Sequence, residues 1–410
     1  MSPGRSATDD SKEVLVSLWQ ELVEALVAAG GTVTEITRVR DIDDIDVLEG
    51  YRYILAVLAE QLDRMALRGS AHPLFLPGVT PVRKLFFDNP DTAYDTALIT
   101  GTRTYRIHGH RGFPTYLAFC VYSGNVAKGE STRVDNLADT DMVFGPDGSF
   151  EVTLSADEQP GNWIPLDPRA NTVIARQYFL DRTTEIPARY AIEVVGGDLG
   201  DRGTADTDLP PDPPLDRLRF ARLARDTARF VTRAATLANE RAEQARRAAN
   251  QFTPVVGHGV YGTPDAGYVV CWYQLEPGEV LAIEVEPPAC RYWGVHLANR
   301  WGQSLDHRTR TTGLNARTAT IDHDGMLRVV VGPRESSHAG EANWLDTAGH
   351  REGWVLFRWL LSQRATVPVP EARVVTPIAD RRGARWTTWP DGTSSAARSG
   401  SQPASPPGAS

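Results

Sequence analysis

Cysteine is scarce in this chain. Its three cysteines among 410 residues are too few and too widely spaced for a disulfide framework or a zinc knuckle. Cys120, Cys271 and Cys290 each lie in or beside an apolar run, so we expect buried, reduced thiols. We also find no run of about 20 apolar residues and no apolar core near the polar amino terminus, so we expect neither a membrane span nor a signal peptide. Together these absences favour a cytoplasmic protein.

An excess of positive charge is also missing. The formal net charge is −9, so the chain has no global basic field to hold nucleic-acid phosphates, and binding to an anionic membrane surface is disfavoured. Walker-type and dinucleotide-binding glycine patterns are absent, as is the Gly-x-Ser-x-Gly nucleophile pattern. We therefore expect no nucleic-acid partner, no membrane partner and no cofactor.

What the chain does contain is a repeat. Residues 90–94 read Pro-Asp-Thr-Ala-Tyr, and residues 264–268 read Pro-Asp-Ala-Gly-Tyr. Further landmarks recur in the same order with nearly constant spacing: Tyr116 and Tyr292, the Asp-Gly pairs at 147–148 and 324–325, and the Asn-Trp pairs at 162–163 and 343–344. This predicts two similar modules. Residues shared by both copies are expected to build the fold, and residues present in one copy are better candidates for chemistry.

Helical spacing of apolar residues appears in three places. The first predicted helix starts at a capping box formed by Asp10 and Glu13 and ends at the glycine pair 30–31. The second follows residues 41–46 and ends at Gly69. The third is a long amphipathic helix over residues 216–249, capped by Asp216.

From about Leu74 the apolar pattern alternates as in β-strands. Strands are predicted at 96–99, 102–108, 115–122, 149–154 and 173–180, and in the second copy at 268–274, 279–286, 291–298, 318–321, 326–331 and 353–361. The last run of each copy is also compatible with a helix.

Short strands divided by turn residues favour antiparallel β-sandwiches. The predicted fold is mainly β (α+β), with two similar antiparallel β-sandwich modules, an N-terminal helical segment and a long amphipathic inter-module helix. The predicted division is a disordered start (1–9), a helical segment (10–72), the first module (73–195), a linker (196–215), the long helix (216–249), the second module (250–375) and a mostly disordered tail (376–410).

Several motifs resemble one bacterial family. Residues 292–297 (Tyr-Trp-Gly-Val-His-Leu), the Asp-Gly pair at 324–325 and residues 341–345 (Glu-Ala-Asn-Trp-Leu) are similar to domain of unknown function 1214, often found with companion domain 1254. Residues 88–94 resemble relatives of the same group, whereas Asp346 stands where the family pattern has proline. The resemblance covers most of residues 45–375. It implies β-sandwich modules with helical additions and brings no accepted reaction.

Two histidines offer candidate chemistry. Alternation along a strand places His108 and His110 on one face, the arrangement a metal ion needs, with His296 and His323 as possible further ligands. The matching strand of the second copy carries glutamates instead, so a solvated strand face is the favoured interpretation, and no metal site is assigned.

Acidic residues cluster around the first repeated motif. Asp88, Asp91 and Asp95 lie close together in sequence with Tyr94, and paired carboxylates can act as acid and base. The Asn-Pro-Asp string at 89–91 is also a strong turn signal. Asp91 and Tyr94 recur in the second copy, which favours a structural role, whereas Asp88 does not recur.

A second catalytic constellation is conceivable in the second copy. The neighbours Asp306 and His307 would supply a general base, with Ser336 or Ser337 near His338 as the nucleophile. Nothing in the spacing forces these residues together.

The main functional hypothesis is binding of a small apolar or sugar-like molecule between the two modules. Its lining is predicted to be aromatic: Tyr94, Trp163, Tyr268, Trp293 and Trp344.

Two alternatives remain. One is an enzyme of hydrolase, lyase or isomerase type at the same cleft, using Asp88, His108, His110 and His307. The other is a structural or scaffold protein in which the helix over 216–249 pairs with another subunit of a homo-oligomer.

Overall fold

The computed structural model describes residues 7–39, 42–124, 130–195, 211–212, 214–255, 262–333, 342–364 and 366–376. In these residues the chain forms three helices and eighteen strands arranged in four sheets. The mainly β prediction is confirmed. Most of the predicted linker and nearly all of the predicted tail lie outside the described residues.

The helices are α1 (Ala7–Val39), α2 (Asp44–Ala66) and α3 (Arg217–Arg246). The side chain of Asp216 accepts a hydrogen bond from the backbone N–H of Arg219 and so caps α3, as the sequence predicted.

The strands divide evenly between the two modules. The first module contains β1 (Leu76–Pro77), β2 (Thr92–Leu98), β3 (Thr104–His110), β4 (Tyr116–Ser123), β5 (Thr132–Ala138), β6 (Ser149–Ser155), β7 (Trp163–Pro165), β8 (Ala170–Tyr178) and β9 (Arg189–Val195). The second contains β10 (Phe252–Pro254), β11 (Ala266–Gln274), β12 (Val280–Val285), β13 (Tyr292–Ala298), β14 (Gly313–Asn315), β15 (Leu327–Gly332), β16 (Trp344–Asp346), β17 (Glu352–Leu360) and β18 (Glu371–Val375).

The two modules have the same strand order. The first pairs a five-stranded sheet, β1-β2-β8-β4-β5, with a four-stranded sheet, β7-β6-β3-β9. The second repeats this as β10-β11-β17-β13-β14 and β16-β15-β12-β18. Neighbouring strands are antiparallel except β6–β7 and β15–β16, which are parallel in both copies. The internal duplication read from the sequence is therefore a duplication of topology.

Each module has its own sandwich core. In the first, Phe119 and Val173 of the five-stranded sheet pack against Ile107 and Val152 of the four-stranded sheet, all fully buried. In the second, Phe357 and Trp359 take part in the corresponding core. Alternate residues of each five-stranded sheet point away from this core, toward the other module and the helices.

Several strand predictions need correction. Residues 318–321 form a turn and an irregular segment because Asn315 and Thr318 bond each other's backbone there. Strands β5 and β9 were missed because polar residues interrupt their apolar pattern. The last run of each copy is a strand, β8 or β17, so the helical alternative is wrong.

Helix α1 is longer than predicted. It includes residues 7–9, which were expected to be disordered, and continues through Gly30 and Gly31. A glycine inside a helix costs about 1 kcal/mol relative to alanine. Burial of Ala29, Val33 and Ile36 against α2 and α3 offsets that cost.

The same helix is also more apolar than expected. Its segment Glu13–Arg38 has a length and composition that would allow a membrane crossing, with a mean hydropathy of 1.4. Core helices and signal sequences share that composition. Only 11% of its apolar window is buried, and Val16, Trp19 and Val27 are exposed. By length and composition, α1 departs from the expectation that no segment is apolar enough to span a membrane.

Trp301 is one of the residues that join the helices to the second module. Trp301, from the loop after β13, is buried among the three helices, stacks on Tyr53 with ring centroids 6.1 Å apart, and donates its indole N–H to the carbonyl of Asp46 over 2.7 Å. Gly50 lies directly beneath the indole, where a Cβ atom would be 2.5 Å from Cζ2 of Trp301. Glycine is therefore needed at position 50 for packing.

We predict that two glycine-to-alanine substitutions change stability in opposite directions. Gly50→Ala should lower the free energy of unfolding by about 1–3 kcal/mol, because its methyl group collides with Trp301. Gly31→Ala should raise it by about 0.5–1 kcal/mol, because a Cβ atom there meets nothing within 4 Å and alanine favours the helix. Denaturant unfolding measures both. A stability gain in Gly50→Ala would contradict the tight packing at Trp301.

Candidate functional site

Residues of the repeated motifs form hydrogen bonds from one module to the other. The Asp91 carboxylate, from the first module, accepts hydrogen bonds from the Tyr292 hydroxyl (2.8 Å) and the Asn315 amide (3.0 Å) of the second. His296 Nε2 lies 3.2 Å from the same oxygen. The repeated aspartate therefore binds the other copy.

The reciprocal contact is present. Asp265 of the second module accepts hydrogen bonds from the Tyr116 hydroxyl and from the Asn136 amide (2.9 Å) of the first. Tyr116 and Tyr292 are equivalent residues, since each opens the matching strand of its sheet. Shared residues thus join the copies, in agreement with the structural role favoured for Asp91.

Tyr94 and Tyr268 occupy equivalent positions beside this contact. The Tyr94 hydroxyl accepts from the backbone N–H of Asn89, and the Tyr268 hydroxyl accepts from that of Thr263. Each thereby closes the turn that presents the repeated aspartate. Burial raises the pKa of Tyr94 above its ordinary value.

The other three predicted aromatic residues lie elsewhere. Trp293 is part of the second sandwich core. Trp163 and Trp344 lie on β7 and β16, the edge strands of the two four-stranded sheets, and Trp163 donates to the Ser155 hydroxyl over 3.0 Å. The structure therefore does not bring the five predicted lining residues together.

Asp88 is a buried hydrogen-bond acceptor. Its carboxylate binds the backbone N–H (3.0 Å) and the hydroxyl (2.6 Å) of Ser304 in the second module. The nearby Lys84 ammonium donates to the carbonyls of Ser304 and Leu305. His307 lies close enough for these charges to act on it, and burial, then Lys84, lowers its pKa. Asp88 therefore binds the loop that carries His307, so two of the four predicted catalytic residues lie in the same region of the fold.

The proposed Asp306–His307 pairing does not form. The Asp306 carboxylate binds Arg308 and Thr309 instead. The serines and histidine considered with this pair, at 336–338, lie outside the described residues.

His108 and His110 lie on β3, in the outer sheet of the first module. His110 Nδ1 accepts from the N–H of Gly112 (3.2 Å), so its Nε2 carries the proton and donates to the carbonyl of Asp147 (2.6 Å). His108 Nδ1 lies 3.6 Å from a Glu193 carboxylate oxygen. Both ring nitrogens of His110 are therefore engaged in hydrogen bonds with the backbone.

A cavity of about 500 Å³ lies between the first module and the helices. One wall includes Arg64 of α2, Arg68 in the turn that follows α2, and Phe230 of α3. Leu98 of β2, Tyr122 of β4 and Thr172 of β8 are on the opposite wall, which is the outward face of the five-stranded sheet. The sequence hypotheses did not include any of these residues.

The second module fills the equivalent space. Strand register pairs Leu98 with Thr172 in the first copy and Trp272 with Trp354 in the second. The two indoles pack edge to face at 5.2 Å and lie against Ala242 of α3. The first copy has leucine and threonine at the positions of these two tryptophans, and this difference leaves the cavity in the first module.

The comparisons with known proteins agree with this architecture. Residues 88–179 and 275–364 match the family described as "Protein of unknown function (DUF1214)". A crystal structure of an uncharacterised Burkholderia cenocepacia protein is 31% identical, with a TM-score of 0.81, and the alignment covers 89% of this chain and 98% of that one. The chain belongs to the DUF1214 family.

More distant comparisons add little. A Vibrio parahaemolyticus protein of known structure is 11% identical, with a TM-score of 0.43 over 79% of this chain and 98% of that one. No curated protein matches significantly.

The DUF1214 segments place the candidate sites in context. The first segment contains Leu98, Tyr122 and Thr172, so the sheet wall of the cavity belongs to the family's own domain. The helical wall, from α2 and α3, lies outside both segments. Of the crossed Asp–Tyr contacts, Asp91, Tyr116 and Tyr292 lie inside the matched segments, whereas Asp265 precedes the second segment.

We predict that Asp91 stabilises this DUF1214 protein only above acidic pH. Burial alone would raise the pKa of Asp91, but His296 and the hydrogen bonds from Asn315 and Tyr292 bring it below its ordinary value of 3.8. Its contribution is therefore fully present above pH 3.8 and is lost as the pH falls through the lower folded-state pKa.

Asp91→Asn should accordingly cost on the order of 2 kcal/mol at about pH 6, because hydrogen bonds to a charged acceptor are lost. The difference from the wild type should shrink at more acidic pH in denaturant titrations. The control is Asp157→Asn, at an exposed loop position, whose stability should follow that of the wild type at every pH. A pH-independent difference for Asp91→Asn would contradict the assignment.

Proposed function

We propose that this protein binds a small organic molecule in the cavity between its first module and helices α2 and α3. The volume of about 500 Å³ falls within the range of about 300–1,000 Å³ that is usual for small-molecule sites. The observation that carries the proposal is the difference between the copies: the same sheet face is filled by Trp272 and Trp354 in the second module and left open in the first.

The lining indicates an amphipathic ligand. Leu98, Ile99 and Phe230 supply apolar surface. Arg64 and Arg68 add guanidinium groups on the same wall as Phe230: Arg64 donates to the Thr172 hydroxyl over 3.0 Å and pairs with Glu60, and Arg68 pairs with Asp226. A ligand with an apolar body and an acidic or otherwise acceptor-rich head matches both kinds of surface.

This proposal keeps the small-molecule hypothesis and changes its position. The cavity is lined by the first module and the helices, and the five-stranded sheet contributes the ring of Tyr122. Burial raises the pKa of the Tyr122 hydroxyl well above its ordinary value, so the group is a neutral phenol at physiological pH. This hydroxyl accepts a hydrogen bond from Arg176 over 2.8 Å and donates to the carbonyl of Gly262 over 3.4 Å, so it does not serve as a base.

We predict that the cavity can be closed with residues taken from the second copy. The double variant Leu98→Trp/Thr172→Trp introduces the two indoles that stand at the equivalent positions. Binding of 1-anilinonaphthalene-8-sulfonate, which combines an apolar body with an anionic head, should be saturable in the wild type and at least 10-fold weaker in the double variant.

A matched control adds tryptophan elsewhere on the first module. Val143→Trp, at a side chain that is 71% exposed, should leave the dye affinity unchanged. Native mass spectrometry of gently purified wild-type protein should also show a bound small molecule that the double variant lacks. Equal dye binding by the double variant and the wild type would exclude the cavity as the site.

A further inference from the structure

Away from the cavity, three metal-ligating side chains meet where α2 contacts the second module. Asp46 and Glu49 lie in the first turns of α2, and His350 lies in the loop between β16 and β17. One potential ligand atom from each residue lies within 4.8 Å of the other two. Glu49 Oε2 is 2.8 Å from His350 Nε2.

The surrounding hydrogen bonds orient these groups. His350 Nδ1 donates to the carbonyl of Thr347 over 2.9 Å, which directs Nε2 toward the two carboxylates. Metal-binding histidines usually hold their other ring nitrogen in this way. The Asn299 amide donates to Glu49 Oε2 over 2.6 Å, so this carboxylate is fixed as well.

Two buried polar atoms at the cluster have no hydrogen-bond partner among the described residues. Asp46 is 2% exposed, and its Oδ1 is unsatisfied. Tyr273 is completely buried, its hydroxyl is unsatisfied, and burial, followed by the charges of Asp46 and Glu49, raises its pKa well above the ordinary value. Leaving such groups unpaired costs about 1–3 kcal/mol each, and more for a charged group. A cation between them would remove that cost.

We infer that Asp46, Glu49 and His350 form a binding site for a divalent transition-metal cation. Two carboxylates balance the charge of the ion and are also suitable ligands for Mn²⁺, and the imidazole favours Zn²⁺ over Mg²⁺ and Ca²⁺. The Tyr273 hydroxyl or a water molecule would supply a fourth ligand. Since Asp46 and His350 are buried, the ion is structural and fastens the start of α2 to the second module.

The test is metal titration of the full chain. Chelator-treated protein should bind about one Zn²⁺ or Mn²⁺ per chain in calorimetry, and its melting temperature should rise on binding. Asp46→Asn and His350→Gln, which keep the size of each side chain, should weaken binding at least 10-fold. Circular dichroism verifies that each variant is folded before titration.

The control is the double variant His108→Ala/His110→Ala, which removes the other histidine pair and should bind metal like the wild type. A second measurement does not depend on any variant: Co²⁺ bound to the wild type should show d–d bands of oxygen and nitrogen ligands. Absence of metal binding, unchanged binding in Asp46→Asn and His350→Gln, or a thiolate-to-cobalt charge-transfer band would overturn the inference.

Discussion

Each module of this protein places one aspartate against a tyrosine of the other, and the rest of the architecture depends on this exchange. Asp91 accepts from Tyr292, and Asp265 accepts from Tyr116. A carboxylate in a partly buried contact is stable only when its hydrogen bonds are satisfied. The exchange therefore fixes how the two five-stranded sheets face each other. It also accounts for the presence in both copies of the Pro-Asp motif and of the tyrosine that opens β4 or β13.

Much of the fold could be read from the sequence because it rests on local patterns. Alternating apolar residues gave most strands, and Asp216 marked the start of α3. The continuation of α1 through Gly30 and Gly31 was missed because tertiary burial decided it. The partners of Asp91 could not be predicted either, because Tyr292 lies about 200 residues further along the chain and no spacing rule joins the two residues.

The candidate sites were harder to predict for a related reason. The catalytic hypotheses relied on residues adjacent in sequence, such as Asp306 and His307, but the fold gives Asp306 other partners. The sequence repeat aligns Leu98 with Trp272, but only the strand register shows that Thr172 lies beside Leu98 and that Trp354 lies beside Trp272. Once the strand register is known, a comparison of the two copies position by position reveals the cavity.

Helix α3 spans both modules. Its first half, at Phe230, closes the cavity of the first module, and its second half, at Ala242, packs on Trp272 and Trp354 of the second. A continuous helix of this length resists bending, so it opposes hinge motion between the modules. A ligand of the proposed site would therefore enter and leave by local rearrangement of lining side chains such as Arg68, while the two modules keep their relative placement. The rates of ligand binding and release would then depend on the movements of a few side chains and hardly at all on domain opening.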